Sequence, residues 1–276
     1  MKRPIFVGIV LSIAAVVSGL ALSTASSVAA TSLPTLTLAL TKNTVTVGGG
    51  SMVSGAVNVV TTVTGEKSDT PILILLKPGV TPAEFGKVIA SLSPTAPFDA
   101  IDPYGTVVFD GFAAAGAPSS GQTVLEPGTY VAGETGNGHA VFTVTRAATP
   151  AALPTPGATV TAVDFRFRGA RTLHDGELVR FQNDGYLIHM FVYIPVKSVV
   201  AAKKAEAALL AGNTKTAKKY AIGKPGTFVE PLSHGQLQQE VITQPPGVYV
   251  MACFMNAQDG REHFQLGMMR TIKIVK

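Results

Sequence analysis

Short runs of apolar residues, or of alternating apolar and polar residues, recur along the chain and predict a protein built mainly of β-strands. Most of them are rich in Val, Ile, Leu, Thr or Phe and are bounded by Gly, Pro, Asn or Asp, which is typical of strands joined by turns. The runs that carry this prediction cover residues 35–40, 44–47, 72–76, 106–109, 140–145, 160–167, 178–181, 189–194 and 269–275. Short strands with frequent turns favour β-sandwiches over a helical bundle.

Two stretches have a helical pattern instead. Residues 81–92 begin with Thr81 and have Glu84 three positions later, which predicts a helix start with a capping box. Residues 197–212 consist mostly of strong helix formers and end at Gly212, a residue that favours the end of a helix. Each stretch follows an apolar run, so each half of the chain has one helical insertion.

The two halves of the chain resemble each other and are joined by a segment rich in Pro and Ala. Residues 127–131 and 246–250 share the pattern Pro-Gly-x-Tyr-Val, and each is followed by a closing strand. Residues 147–158 carry no charge, which is typical of a linker. We therefore predict an all-β protein of two tandem β-sandwiches, over residues 31–146 and 159–276.

The first 30 residues have the pattern of a secretory signal peptide. Lys2 and Arg3 precede an apolar stretch over residues 5–22, and small residues at 28–30 suit a cleavage site. We therefore expect a secreted or cell-envelope protein that keeps no membrane span after cleavage. The alternative is a retained anchor, because about 18 apolar residues is the lower limit for a membrane span.

Composition supports a folded, strand-rich protein and excludes several function classes. With 46% hydrophobic residues, 28 Gly and 18 Pro, the chain has material for a core and for many turns. A net charge of +5 is too mild for a nucleic-acid-binding surface, and there is no Trp. The sequence contains no phosphate-binding loop, nucleophile elbow, HExxH motif or paired-carboxylate pattern. We therefore predict that the protein is not an enzyme and binds no nucleic acid.

The single cysteine, Cys253, is informative in an exported protein because it has no partner for an internal disulfide. It is a buried inert residue, an intermolecular partner or a metal ligand. Three other residues with metal-binding side chains lie in the same half: His189, His263 and Met268. Two imidazoles, a thiolate and a thioether form the ligand set of copper electron-transfer sites, because soft sulfur favours Cu(I) and imidazole suits both oxidation states.

The residues around these four positions resemble the cupredoxins, the blue copper family. Residues 176–183 resemble the family's G-x-x-V-x-F-x-N loop before the first copper histidine, which here is His189. Residues 246–249, followed by Cys253, His263 and a Gly-Met pair, resemble the P-G-x-Y, Cys, His and Gly-Met ending of the family. The resemblance covers about 100 residues and implies a Greek-key β-sandwich.

By this resemblance, His189 and His263 supply imidazole nitrogens to copper, Cys253 a thiolate and Met268 a weak axial thioether. Nine residues separate Cys253 from His263, whereas the family has two to four, so the longer hairpin either returns His263 to the site or carries it away. Met269 competes with Met268, because adjacent strand residues point to opposite faces. The sequence of the first half lacks this set of two histidines, a cysteine and a methionine. The predicted function is single-electron transfer by one copper ion, and the alternative is a metal-free extracellular binding or structural module on the same scaffold.

The segment 197–224 is strongly basic, with seven lysines and one acid, Glu206. Long-range attraction would make such a face a docking site for an acidic redox partner or an anionic cell-envelope component. The alternative is a solvated face over an amphipathic helix. The lysines are at positions 197, 203, 204, 215, 218, 219 and 224.

Overall fold

The structure is a computed structural model that describes residues 32–50, 52–92, 97–133 and 138–276. The predicted export signal, residues 1–30, lies outside the described residues. Strands account for 48% of the described residues and helices for 15%, which confirms the prediction of a mainly β protein. No helix in the described part of the chain is long and apolar enough to cross a membrane.

The described residues of the first half form ten strands, one α-helix and a 3₁₀ helix. The strands are β1 (Thr35–Thr41), β2 (Thr44–Gly49), β3 (Gly55–Val63), β4 (Ser68–Asp69), β5 (Ile72–Leu76), β6 (Gly105–Asp110), β7 (Ala113–Ala114), β8 (Ser119–Leu125), β9 (Gly128–Gly133) and β10 (His139–Val144). The helices are α1 (Pro82–Ser91) and the 3₁₀ helix Phe98–Ile101.

The second half contributes nine strands, two α-helices and a 3₁₀ helix. The strands are β11 (Ala158–Val163), β12 (Arg166–Gly169), β13 (Thr172–His174), β14 (Leu178–Asn183), β15 (His189–Val196), β16 (Gly226–Leu232), β17 (Leu237–Val241), β18 (Gly247–Ala252) and β19 (Met269–Val275). The helices are α2 (Val199–Leu210), α3 (Thr214–Lys218) and the 3₁₀ helix His263–Leu266.

The two halves have the same strand topology. In the first half, β1 pairs antiparallel with β2 and parallel with β3, and β3 pairs antiparallel with β8. In the second half, β11 has the same relation to β12 and β14, and β14 to β17. The second sheet of each half also has matching order, β10-β9-β5-β6 and β19-β18-β15-β16, with β13 added at the edge of the latter.

The halves meet where β8 and β17 join their two sheets into one eight-stranded sheet. Gln122 pairs with Gln239 across this junction, and the Thr123 hydroxyl donates to the Leu237 carbonyl at 2.8 Å. The Gln238 side-chain amide donates to the Asp110 carbonyl at 3.1 Å. Because these bonds cross from one half to the other, residues 33–276 make up a single compact unit.

Both predicted helices are confirmed. In α1, the Thr81 hydroxyl accepts from the Glu84 N–H at 3.2 Å and the Glu84 carboxylate accepts from the Thr81 N–H at 2.8 Å, which completes the predicted capping box. Helix α2 ends just before Gly212, which has the positive φ of 70° that ends helices readily. Each helix packs over one sheet of its own half through apolar side chains.

The prediction of one strand over residues 160–167 is wrong. The chain turns at Asp164 and Phe165, so that β11 and β12 form a hairpin in which Val163 pairs with Arg166. Phe165 has φ of 61°, the left-handed region, which bulky residues rarely adopt. The run V-D-F-R-F alternates like a strand, and only the turn preference of Asp indicated the break.

Glu240 makes the junction between the halves sensitive to pH. Burial raises the pKa of Glu240 to about 8, although its carboxylate accepts from the Gln238 side chain. The folded protein therefore holds this proton from pH 4.5 to 8, whereas the unfolded chain has released it, and stability falls as pH rises through that window. We expect Glu240→Gln to raise the free energy of unfolding by about 1–3 kcal/mol at pH 8 and to leave it unchanged at pH 4.5.

Urea unfolding at the two pH values measures this effect. The exposed Glu126→Gln is the matched control, and its curve is expected to follow that of the wild type at both values. A Glu240→Gln variant with the same pH dependence as the wild type would contradict the assignment.

Candidate metal centre

His189 is positioned by a loop that a buried asparagine holds together. The Asn183 side-chain amide donates to the carbonyls of Leu187 and Leu232 at 2.7 and 2.8 Å, and its oxygen accepts from the Gly185 N–H at 2.9 Å. All polar atoms of this side chain therefore have partners inside the protein. Because the loop is held at both ends, His189 enters as the first residue of β15 with its ring directed inward and 0% exposed.

Cys253 follows directly after β18 and is held by its backbone and its sulfur. Its N–H donates to the Met268 carbonyl at 3.1 Å, and its carbonyl accepts from the Phe264 N–H at 3.0 Å. The sulfur accepts from the N–H of Met190, the residue after His189, at 3.4 Å. The thiol therefore lies between the strand that carries His189 and the segment that carries His263.

The nine residues between Cys253 and His263 form a hairpin that returns His263 to the site. The His263 N–H donates to the Met255 carbonyl at 2.8 Å, and Asn256 bridges to Glu262. At the tip, Gly260 has φ of 81°, a conformation that the predicted Asp-Gly turn supplies. His263 then begins the 3₁₀ helix His263–Leu266, and Gly267 ends it in the left-handed region.

Three donor atoms converge at this point. The Nδ1 atoms of His189 and His263 are 3.1 Å apart, and the Cys253 Sγ lies 3.8 and 3.4 Å from them, respectively. In the part of the chain that the structure describes, these three residues are the one group of at least three His, Cys, Asp or Glu side chains close enough to share an ion. Three atoms with these separations are equidistant, at about 2 Å, from a point between them, and metal–nitrogen and metal–sulfur bonds are about 2.0–2.3 Å long.

The electrostatics of the site suit a metal. Burial lowers the pKa of His189, and burial together with the nearby His189 lowers the pKa of His263 to about 4, so both rings are neutral at pH 7. Burial raises the pKa of the Cys253 thiol to about 12. Neutral imidazoles offer a lone pair to an ion, and an ion must displace the thiol proton because the thiolate is the ligand.

The two adjacent methionines pack in different apolar clusters. Met268 immediately precedes β19, is 0% exposed and belongs to the same apolar cluster as Cys253. Met269 begins β19, is half-buried and packs on the cluster under α2. Of the two, Met268 is therefore the one that shares a buried cluster with Cys253.

Residues of the first half pack against Ile188, the residue before His189. The Asp99 carboxylate in the 3₁₀ helix Phe98–Ile101 accepts from the Ile188 N–H at 2.5 Å. Ile188 is 0% exposed and packs in an apolar cluster whose other buried members all come from the first half. His189, the residue after Ile188, is buried, as are Cys253 and His263.

Two residues that contact the site, Asp164 and Phe165, were not predicted from the sequence. The Asp164 carboxylate lies 3.1 Å from Nε2 of His189, and the Phe165 ring packs edge-on against His263. The signal available in the sequence was Asp164 itself, a turn-favouring residue inside a strand-like run. Its contact with His189 depends on the three-dimensional path of the β11–β12 hairpin and leaves no pattern in the sequence.

The solved structures with which the chain shares similarity include several copper proteins. Auracyanin B is 21% identical, with 45% of this chain and 93% of that chain covered and a TM-score of 0.26. Auracyanin A, a "blue" copper protein from Chloroflexus aurantiacus, is also 21% identical, with 42% and 95% covered and a TM-score of 0.24.

A longer overlap is found with a Cu-containing nitrite reductase from Thermus scotoductus. It is 10% identical, with 88% of this chain and 68% of that chain covered and a TM-score of 0.25. No family model and no curated protein matches the chain. Because identities and TM-scores are low, the assignment of the cofactor rests on the donor atoms of the site.

Copper is the ion that these donors support. Two neutral imidazoles and one cysteine sulfur, all buried, match the His₂Cys donor set of copper electron-transfer sites. Hard cations such as Mg²⁺ and Ca²⁺ prefer oxygen ligands, and the three converging side chains offer none. The residues present therefore fit the cofactor that the sequence resemblance implied.

Proposed function

We propose that this protein binds one copper ion and passes single electrons, and that His189, Cys253 and His263 would hold the ion with the Met268 thioether as a weaker fourth ligand. The observation that carries the proposal is the convergence of two Nδ1 atoms and one Sγ at mutual distances of 3.1–3.8 Å. Copper bound there would supply a one-electron couple between Cu(I) and Cu(II).

The protein's contribution is a rigid site. The Met190 N–H and the backbone bonds of Cys253 hold the sulfur in one position, and Asn183 holds the loop that leads to His189. Ligands held in this way have little freedom to rearrange when the charge of the ion changes, which favours electron transfer in both directions.

The enclosed pocket favours an electron carrier over an enzyme. His189, Cys253 and His263 are each 0% exposed, so in the described residues the ligand side chains do not face solvent. Electrons can cross packed protein, whereas catalysis at the metal requires an open coordination position. The alternative, a metal-free binding or structural module, predicts no stoichiometric copper.

The arrangement of the chain is proposed to be a tandem pair of Greek-key sandwiches in which only the second holds metal. The matching strand topology of the two halves supports the pair. Ile72 is the first residue of β5, the position that His189 has in β15, and an isoleucine cannot ligate copper. Residues 1–30 support export to the cell envelope or beyond, where N-terminal sequencing of the mature protein would find a start near Thr31.

The effect of a leucine substitution on the copper site is expected to differ between Met268 and its neighbour Met269. We expect copper-loaded Met268→Leu to differ from the wild type in reduction potential and visible spectrum, because the axial ligand tunes both. Met269→Leu is the matched control, and its potential is expected to be unchanged. Spectroelectrochemical titration of the three proteins measures the effect, and a larger change in Met269→Leu would contradict the assignment of Met268.

The basic face over α2 and α3 is proposed as the docking site for an acidic redox partner. Lys203, Lys204, Lys215, Lys218 and Lys219 are exposed there. Helix α2 packs against Phe264, the residue after the candidate ligand His263, so this face lies over the site.

A small anionic oxidant tests the charge effect. We expect Lys203→Glu combined with Lys204→Glu to slow oxidation of the Cu(I) protein by hexacyanoferrate(III), with a difference that shrinks as salt is added. The matched control is Lys42→Glu with Lys67→Glu, two exposed lysines of the first half. If both double variants slowed oxidation equally, the effect would come from net charge alone, and the proposal that this face is a docking site would be wrong.

A further inference from the structure

A two-residue turn outside the ligand-bearing strands touches both candidate histidine ligands. Asp164 and Phe165 connect β11 and β12, at the edge of the shared eight-stranded sheet. Asp164 Oδ1 lies 3.1 Å from Nε2 of His189. The ring of Phe165 lies 5.5 Å from that of His263, at an interplanar angle of 83°. Adjacent residues of one turn therefore contact the two imidazoles from outside.

The Asp164 carboxylate determines which nitrogen of His189 carries the proton. Both oxygens of this carboxylate accept from backbone N–H groups, Oδ1 from Leu187 at 3.2 Å and Oδ2 from Tyr186 at 3.1 Å. A carboxylate is an acceptor only, so Nε2 of His189 is the donor. The lone pair is then on Nδ1, the atom that faces His263 and Cys253.

The loop before His189 approaches the turn too closely for any side chain at position 185. A Cβ on Gly185 would lie 2.5 Å from Asp164 Oδ1 and 2.8 Å from Nε2 of His189. The contact between the carboxylate and the imidazole thus depends on a glycine at this position. The close approach of this loop leaves no room for a larger residue beside the Asp164–His189 contact.

Phe165 has a strained backbone conformation, and its ring packs against His263. Its φ of 61° is the one positive value among the non-glycine residues that the structure describes. Such strain persists where the surrounding structure enforces it, and it is concentrated at functional sites. Nε2 of His263 is buried and has no hydrogen-bond partner in the described part of the chain, so the apolar Phe165 ring shields an imidazole that would otherwise attract water.

We propose that the Asp164–Phe165 turn is a positioning element for the metal site: Asp164 sets the tautomer and orientation of His189, and Phe165 excludes water from His263. The inference rests on the proposed function in that the ion held is copper, but the tautomer of His189 exists without it. The expected result is tight binding and slow release of the ion, because partners of metal-binding histidines orient the ligand and raise its basicity.

The metal-free protein provides the first arm of the test. Long-range ¹H–¹⁵N NMR is expected to show the Nε2–H tautomer of His189 in the wild type and a mixture of tautomers in Asp164→Ala. Asp164→Asn, whose amide oxygen still accepts, is expected to keep the wild-type tautomer. The matched control is Asp184→Ala, an exposed carboxylate in the same loop with no contact to His189. Unchanged tautomers in Asp164→Ala would overturn the role of Asp164.

Copper provides the second arm. We expect Asp164→Ala to bind copper about 10–100-fold more weakly, the usual cost of losing such a partner. Phe165→Gly relieves the strain and removes the ring, so it is expected to release copper to a chelator at least about tenfold faster while its metal-free form unfolds no more easily than the wild type. Phe112→Gly, which removes an exposed phenylalanine from the first half, is the control.

The two arms separate the possible failures. If the wild type takes up no copper, the proposed function fails and the NMR experiment alone decides the role of Asp164. If the wild type binds copper but neither variant changes affinity or release, the positioning element is overturned and the proposed function stands.

Discussion

Replacing Cys253 with alanine is expected to abolish the intense visible absorption of the copper-loaded protein and to weaken copper binding more than about 100-fold. The absorption requires a bond between copper and a thiolate, and Cys253 is the only cysteine of the chain. Losing a partner of a ligand already costs 10–100-fold in metal affinity, and losing the ligand itself must cost more. Absorption spectra and a competition titration against a chelator measure the two effects.

The variant is expected to remain folded, which makes the comparison clean. Alanine leaves a small cavity next to Met268, in a site whose backbone hydrogen bonds to Met268 and Phe264 do not involve the sulfur. Circular dichroism of the metal-free proteins provides the control. Copper retained with unchanged affinity and colour in Cys253→Ala would contradict the proposed site.

Copper is expected to raise the thermal stability of the wild type by about 5–10 °C. A ligand present at 100 times its dissociation constant adds about 2.7 kcal/mol to the free energy of unfolding. For a unit of 150–250 residues, each kcal/mol corresponds to about 2–4 °C in Tm. Since the three donors come from β15, the end of β18 and the 3₁₀ helix His263–Leu266, the ion would link segments that separate on unfolding.

The comparison proteins for this stabilisation are Cys253→Ala with copper and the wild type with Mg²⁺. Neither is expected to shift by more than about 1 °C, because one lacks the thiolate and the other ion prefers oxygen ligands. Differential scanning calorimetry measures all three. An equal rise with copper in Cys253→Ala would place the stabilising ion elsewhere on the protein.

Local features of the fold could be predicted because local forces decide them. Strands at 72–76 and 269–275 have the bounds that the apolar runs indicated, and the capping box of α1 follows from the spacing of Thr81 and Glu84. Strands such as Gly55–Val63 and Ser119–Leu125 were missed. Gly55–Val63 contains four Val and two Thr, which favour strands, so its composition did indicate a strand. Ser119–Leu125 begins with Ser-Ser-Gly, and pairing with β3 stabilises it.

The candidate site was predictable as a set of residue types, but its geometry was not. His189, Cys253, His263 and Met268 were identified from their chemistry and from the family resemblance. Whether the long hairpin would bring His263 back depended on the backbone bond between His263 and Met255, which joins residues eight positions apart. The contacts of Asp164 and Phe165 depended on tertiary packing of the β11–β12 hairpin, and no spacing rule describes it.

X-ray absorption at the copper K edge of the loaded protein tests the central claim most directly. We expect one sulfur at about 2.1–2.3 Å and two nitrogens at about 2.0 Å from the metal, since these are the ligand distances of thiolates and imidazoles. A first shell of nitrogen and oxygen alone, with no short sulfur distance, would contradict the His189, Cys253 and His263 site.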